Sequence, residues 1–323
     1  MNRRDTVLAL LALGTTTAQR IVWAQARPVR IGVLGPRQRP IILPPVLRRL
    51  GELGYVEGKN LIVEFRSADG VVERFPSLAR ELIQAKCDLI FALGTEDSAR
   101  ALLEAKAGVP VVIVAITYDP VETGIVSSLR RPGGTVTGVT LSGPAAAAKR
   151  LEILREIVPK AKRLFVLVDP YSKAQLEAVR EAAKILRVEI VVETFAALPY
   201  DFESAFAKGR AAGIEAVSVL DSPVFLDQRE KIAELVIKHR LVSVGAHVFF
   251  AEAGLLISYS ADLAKIFARA GDIAASILKG AKPGDIPVEQ PREFEFVVNL
   301  KTAKALGISI PLSIMLSANR VIE

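Results

Sequence analysis

Cysteine, histidine and tryptophan are nearly absent: the 323 residues hold one cysteine, two histidines and one tryptophan. A lone cysteine cannot form an internal disulfide. Cys87 lies in Gln84-Ala-Lys-Cys-Asp-Leu-Ile90 with no histidine close in sequence. It reads as a small buried residue rather than a nucleophile. Neither His239 nor His247 has a carboxylate at metal-ligand spacing, so no metal and no cofactor are expected. The chain also lacks a P-loop, G-x-G-x-x-G, G-x-S-x-G, H-E-x-x-H and paired C-x-x-C, the strong enzyme signatures. Without a strict short repeat or a low-complexity tract, solenoids and propellers are excluded. Positive charges exceed negative ones by seven. They are scattered singly, without the basic runs or aromatic-basic interleaving that nucleic-acid binding uses.

What the chain does have begins at the N-terminus. Asn2-Arg3-Arg4 precedes the apolar run Val7 to Leu13, and Ala24-Gln25-Ala26 offers small residues for cleavage. That is the plan of a secretory signal peptide over residues 1–26. The run falls short of the roughly 20 residues needed to span a bilayer. The consensus around Arg3-Arg4 is poor, which favours Sec over Tat export. No cysteine adjoins the cleavage point for a lipid anchor, and cleavage would remove Trp23.

From Val29 onward short apolar strands alternate with helical patterns, and the length suits two lobes. Val111 to Ile116 is a continuous β-branched run, the pattern of a central parallel strand covered on both faces. The spacing predicts further strands at Val29 to Leu34, Leu61 to Phe65, Leu89 to Ala92, Leu164 to Val168, Glu189 to Val192, Ala216 to Leu220 and Leu241 to Val244. Such a βα succession gives parallel sheets. Pro132-Gly133-Gly134 breaks the chain before Thr135 to Thr140, which reads as a strand of a different sheet and as the first crossing between lobes. Gly245 to Phe250 and strand Leu255 to Ser258 read as the return, and Phe294 to Val298 as a third crossing. The expected lobes are therefore 27–136 plus 246–287 and 137–245 plus 288–323, joined by a multi-strand hinge. Ser172 with Gln175 has the spacing of a capping box, and Ser222-Pro223 that of an N-cap followed by proline.

Polar residues collect at predicted strand C-ends, where open α/β sheets bind ligands. Gly94-Thr95, opening a helix, offers N–H groups and a hydroxyl to an anion such as a carboxylate, with plain capping as the alternative. Thr117, Tyr118, Asp119, Asp169, Tyr171 and Asp221 stand at other strand ends. The three aspartates suit an ammonium group, with Asp221 foremost, since Asp119 and Asp169 precede prolines and can be turn residues. Tyr118, Tyr171, Phe225, Phe249, Phe250 and Tyr259 provide aromatic lining or core. Phe225 and one of Phe249 and Phe250 are assigned to the core. His247 is a pocket-edge candidate.

Gly54-Tyr-Val-Glu-Gly-Lys-Asn60, Asp119-Pro-Val, Ser128-Leu-Arg-Arg-Pro-Gly-Gly134, Thr137-Gly-Val139, Lys149-Arg-Leu-Glu152, Leu278-Lys-Gly-Ala-Lys-Pro283 and Asn299-Leu-Lys-Thr-Ala-Lys-Ala-Leu306 together resemble ABC-transporter substrate-binding proteins of the tryptophan and aromatic-amino-acid type. The resemblance covers nearly the whole chain after residue 26. It implies a type I periplasmic binding protein: two Rossmann-like lobes closing on a small molecule delivered to a membrane permease. The sequence departs from the family at Gly35-Pro-Arg-Gln-Arg-Pro40, at Glu96-Asp97 and after Ser258-Tyr259, and Arg37 or Arg39 could meet a second carboxylate. The expectation is a periplasmic, monomeric, non-enzymatic protein that captures an amino acid or related carboxylate. The rivals are a sensing domain for a membrane receptor and a cleft enzyme with Asp221 as base.

Overall fold

The computed structural model describes residues 27–37, 43–106 and 108–323. The expected signal peptide and Arg39 lie outside the described residues. Two sheets carry the fold. The first contains β1 (Val29–Gly35), β2 (Leu61–Ser67), β3 (Leu89–Gly94), β4 (Val111–Ala115) and β5 (Val136–Thr140). The second contains β6 (Arg163–Val168), β7 (Glu189–Thr194), β8 (Ala216–Val219), β9 (Val242–Gly245), β10 (Ile257–Ala261), β11 (Phe294–Asn299) and β12 (Arg320–Ile322). The helices are α1 (Leu43–Glu52), α2 (Phe75–Gln84), α3 (Glu96–Glu104), α4 (Gly143–Ile157), α5 (Lys173–Leu186), α6 (Phe202–Ala211), α7 (Pro223–Asp227), α8 (Arg229–Lys238), α9 (Val248–Ala253), α10 (Leu263–Leu278), α11 (Leu300–Leu306) and α12 (Leu312–Ser317). Among the described residues no helix is long and apolar enough to cross a membrane.

The first sheet runs β2-β1-β3-β4-β5 with every pairing parallel. Its central strands are buried along their whole length, because alternate residues feed two separate cores. Phe91, Val112 and Val114 pack toward α1 and α10; Ile90, Ile113 and Ala115 pack with residues of α2 and α3. This is the α/β arrangement expected of an uninterrupted apolar run. The second sheet runs β12-β11-β10-β9-β8-β6-β7, parallel except for the antiparallel pair β10 and β11. The result is the expected pair of lobes with parallel sheets.

The crossings fall elsewhere than the sequence predicts. Thr135 to Thr140 does not start a different sheet: β5 pairs with β4 from Val111 opposite Val136 to Ala115 opposite Thr140. Gly138 permits the approach, since a Cβ there would sit 2.0 Å from the Ile113 carbonyl oxygen. The chain changes lobe after Leu141, where Ser142 takes a left-handed conformation (φ 53°). Gly143 then packs so closely that a Cβ would lie 2.2 Å from the Ile116 carbonyl oxygen. Residues 246–260 likewise stay with the second lobe, because Leu255, Leu256 and Ile257 are fully buried in its cores. The return comes at Ala261, which packs in the first lobe with Leu263, Ile266 and Phe267 of α10. The third crossing runs between Glu289, bridged to Val139, and β11.

Candidate functional site

The C-terminal ends of the parallel strands put the predicted polar residues at one end of each sheet, but their side chains serve different ends. Asp119 is a turn residue. Its Oδ1 accepts from the Val121 and Glu122 N–H groups at 2.8 and 3.2 Å, the local bonding that Asp-Pro sequences favour. Asp169 is fully buried. Its Oδ1 accepts from the Tyr171 N–H at 3.1 Å and the Ser172 hydroxyl at 2.9 Å, and its Oδ2 from the Tyr200 and Ser222 hydroxyls. Burial pushes its pKa up, and the hydroxyl and N–H donors pull the other way. Asp119 thus spends one carboxylate oxygen on its own turn, while both oxygens of Asp169 are taken, one by its own loop and one by the Tyr200 and Ser222 hydroxyls. The Ser172–Gln175 capping box does not form either: the Ser172 hydroxyl goes to Asp169. Ser222 does cap its helix, accepting from the Val224 and Phe225 N–H groups.

Asp221 is held differently. Gln175 clamps its backbone, the amide Nε2 donating to the Asp221 carbonyl and Oε1 accepting the Asp221 N–H, both at 2.9 Å. The carboxylate Oδ1 lies 2.9 Å from His247 Nε2. Both side chains are buried, and His247 Nδ1 has no partner among the described residues. The pair joins the loop after β8 to the loop after β9, so two residues selected independently from sequence meet. A buried polar atom without a protein partner is uncommon.

In the first lobe Thr95 precedes α3 yet makes no capping bond; its hydroxyl is buried and has no partner among the described residues. The Ser98 hydroxyl satisfies the Thr95 carbonyl instead, at 2.8 Å. Thr117 is buried, with its N–H and hydroxyl directed at the Gly94 carbonyl at 3.2 and 3.5 Å. Tyr118 is a core residue beside Ile125 and Val126, and burial drives its phenol above the usual range. Tyr171 and Val224 reach from the second lobe into the first-lobe core, while burial raises the Tyr171 phenol, whose hydroxyl has no partner among the described residues. Phe225 and Phe250 are core residues, whereas Phe249 packs against the first lobe. Tyr259 stacks on Phe294 at 5.2 Å on the hinge-side strands. Arg37 meets a carboxylate of the protein itself, Asp227 of the other lobe, at 2.7 Å from Nε. The Cys87 thiol is buried, and burial pushes it up to about 11.

Arg150 was not selected as a site residue from the sequence. It is 2% exposed on the face of α4 that carries Ala147 and Leu154. A cation at that spacing among apolar residues is the signal that would have found it.

The family model for ABC transporter substrate binding proteins matches residues 43–322. A tyrosine-binding protein of Clostridioides difficile is 29% identical over 268 residues, covering 81% of this chain and 75% of the relative. The crystal structure of an ABC domain from Streptococcus pneumoniae in complex with L-Trp superposes with a TM-score of 0.80 at 28% identity, covering 91% of this chain and 100% of the other. The ligand-free, open structure of a Clostridium difficile substrate binding protein with adhesive properties gives 0.64 at 25% identity, covering 91% and 99%.

Proposed function

The chain belongs to the ABC transporter substrate-binding protein family, a family of binding proteins rather than enzymes, and from that premise we propose that it is exported and captures an amino acid, with an aromatic side chain, for delivery to a membrane permease. The observation that carries the reading is the buried Asp221–His247 pair, set on a backbone that Gln175 holds in place. A fixed carboxylate at a strand C-end suits a ligand ammonium, because little of its orientation has to be ordered on binding. Thr95, at the matching strand end of the first lobe, adds a buried hydroxyl without a partner among the described residues. Tyr171 and Phe249 stand where the lobes meet, so an aromatic side chain has partners there. The tyrosine-binding relative and the L-Trp complex support the same ligand class. Asp119, Asp169, Thr117, Tyr118 and Tyr259 shape the surrounding loops in this reading.

A thermal-shift and calorimetric screen of the purified protein against the amino acids tests it. L-Tyrosine or L-tryptophan should raise the melting temperature, because a ligand bound by the native state alone stabilises by mass action. A screen in which no amino acid shifts the transition removes the reading. Export is checked separately by mass spectrometry of the periplasmic fraction, where cleavage after Ala26 is expected.

A further inference from the structure

Arg150, on α4, is 2% exposed and reaches strand β10 of the second sheet. Its Nε donates to the Tyr259 carbonyl at 2.9 Å, and its Nη1 has no acceptor among the described residues. A guanidinium removed from water without a full set of acceptors is costly. Burial pushes its pKa down to about 10, while the nearby Asp221 pulls it back up. The group therefore stays charged at neutral pH with hydrogen-bonding capacity unspent. Its direction follows from helix geometry. Helical side chains lean toward the helix N-terminus, and that end of α4 abuts the Ile116 carbonyl at the crossing between lobes. Tyr259 is two residues before Ala261, where the chain returns to the first lobe. Arg150 thus stands close to both crossings between the lobes, within electrostatic reach of Asp221.

The other candidate for holding an anion, the first turn of α3 behind Thr95, carries Glu96 and Asp97. Glu96 is paired with Arg100, but the half-buried Asp97 carboxylate, whose pKa burial pushes up, opposes a second carboxylate there.

We propose that Arg150 is the anchor for the ligand's carboxylate, its free Nη1–H donating a charge-assisted hydrogen bond while Asp221 takes the ammonium. Only the second half rests on the amino-acid reading above. Calorimetry with three probes separates the two: L-tyrosine, tyramine, which lacks the carboxylate, and 3-(4-hydroxyphenyl)propanoate, which lacks the ammonium. Arg150→Met should weaken L-tyrosine and the propanoate by roughly ten- to a hundredfold and leave tyramine unchanged. Arg150→Lys, which keeps the charge but not the fork, should fall between and guards against a folding defect in the first variant. Unaltered binding of both carboxylates by Arg150→Met overturns the assignment, as does equal weakening of all three probes, which marks a positioning residue. A parent protein that binds the propanoate but neither amine, with that binding lost in Arg150→Met, keeps the assignment and removes the amino-acid reading. A parent that binds no carboxylate of the set removes Arg150 from the ligand site.

Discussion

Asp221 and Thr95 occupy equivalent strand-end positions in the two lobes and should not be equivalent in energy. A charge-assisted hydrogen bond contributes about 1.5–3 kcal/mol, so Asp221→Asn should weaken amino-acid binding by roughly ten- to a hundredfold. Thr95→Ala removes one neutral hydroxyl worth about 0.5–1.5 kcal/mol, and calorimetry should show a loss of no more than roughly tenfold. Equal affinity of Asp221→Asn and the parent, with both folded, would make Asp221 a turn residue like Asp119. Strand-end logic put Asp221, His247 and Thr95 just beyond strand C-ends, where the structure has them, because position along a parallel strand is local information. It ranked Asp221 above Asp169 only by the proline that follows Asp169, not by the difference in bonding that the structure shows. That difference lies in which hydroxyls arrive from elsewhere: Ser222 and Tyr200 come to Asp169 from residues 53 and 31 positions away. Arg150 escaped for the complementary reason. Its partner is a backbone carbonyl 109 residues distant, and no side-chain motif announces one.

Elements were legible and their sheet membership was not. The predicted strands up to Leu241 to Val244 all form, since apolar period and β-branching act within a few residues. Which sheet a strand joins is decided by pairing across long separations, and there Pro132-Gly133-Gly134 misled: it closes a loop within the first lobe. Glycine chemistry at this scale yields a paired test. Gly138→Ala would place a methyl 2.0 Å from the Ile113 carbonyl oxygen on β4, at a φ of 147° that side chains rarely adopt. It should cost about 3 kcal/mol or more, seen as a lost or much lower denaturation midpoint. Gly51→Ala, in α1 with nothing within 4 Å of the added carbon, should stabilise by about 0.5–1 kcal/mol. A Gly138→Ala protein as stable as the parent would contradict the close β4–β5 register.

At the scale of the whole molecule the lobes are in contact. Tyr171 and Val224 enter the first-lobe core, Phe249 packs against it, and Arg37 pairs with Asp227. That pair is about a third to two-fifths exposed (32% and 43%), so solvent screening limits it to about 0.2–1 kcal/mol. It can trim the open-to-closed equilibrium but cannot set it. Arg37→Ala should therefore weaken ligand binding by no more than roughly fivefold, and a double-mutant cycle with Asp227→Ala should recover a coupling of similar small size that fades as salt rises. The ligand must supply the rest through tighter binding to the closed form, because equal affinity for both forms moves no population. Small-angle scattering should then show a smaller radius of gyration with saturating amino acid, in the parent and in Arg37→Ala alike. A radius that contracts in the parent but stays expanded in Arg37→Ala would mean that the ion pair, not the ligand, closes the cleft. An unchanged radius in both would mean that the ligand does not draw the lobes together.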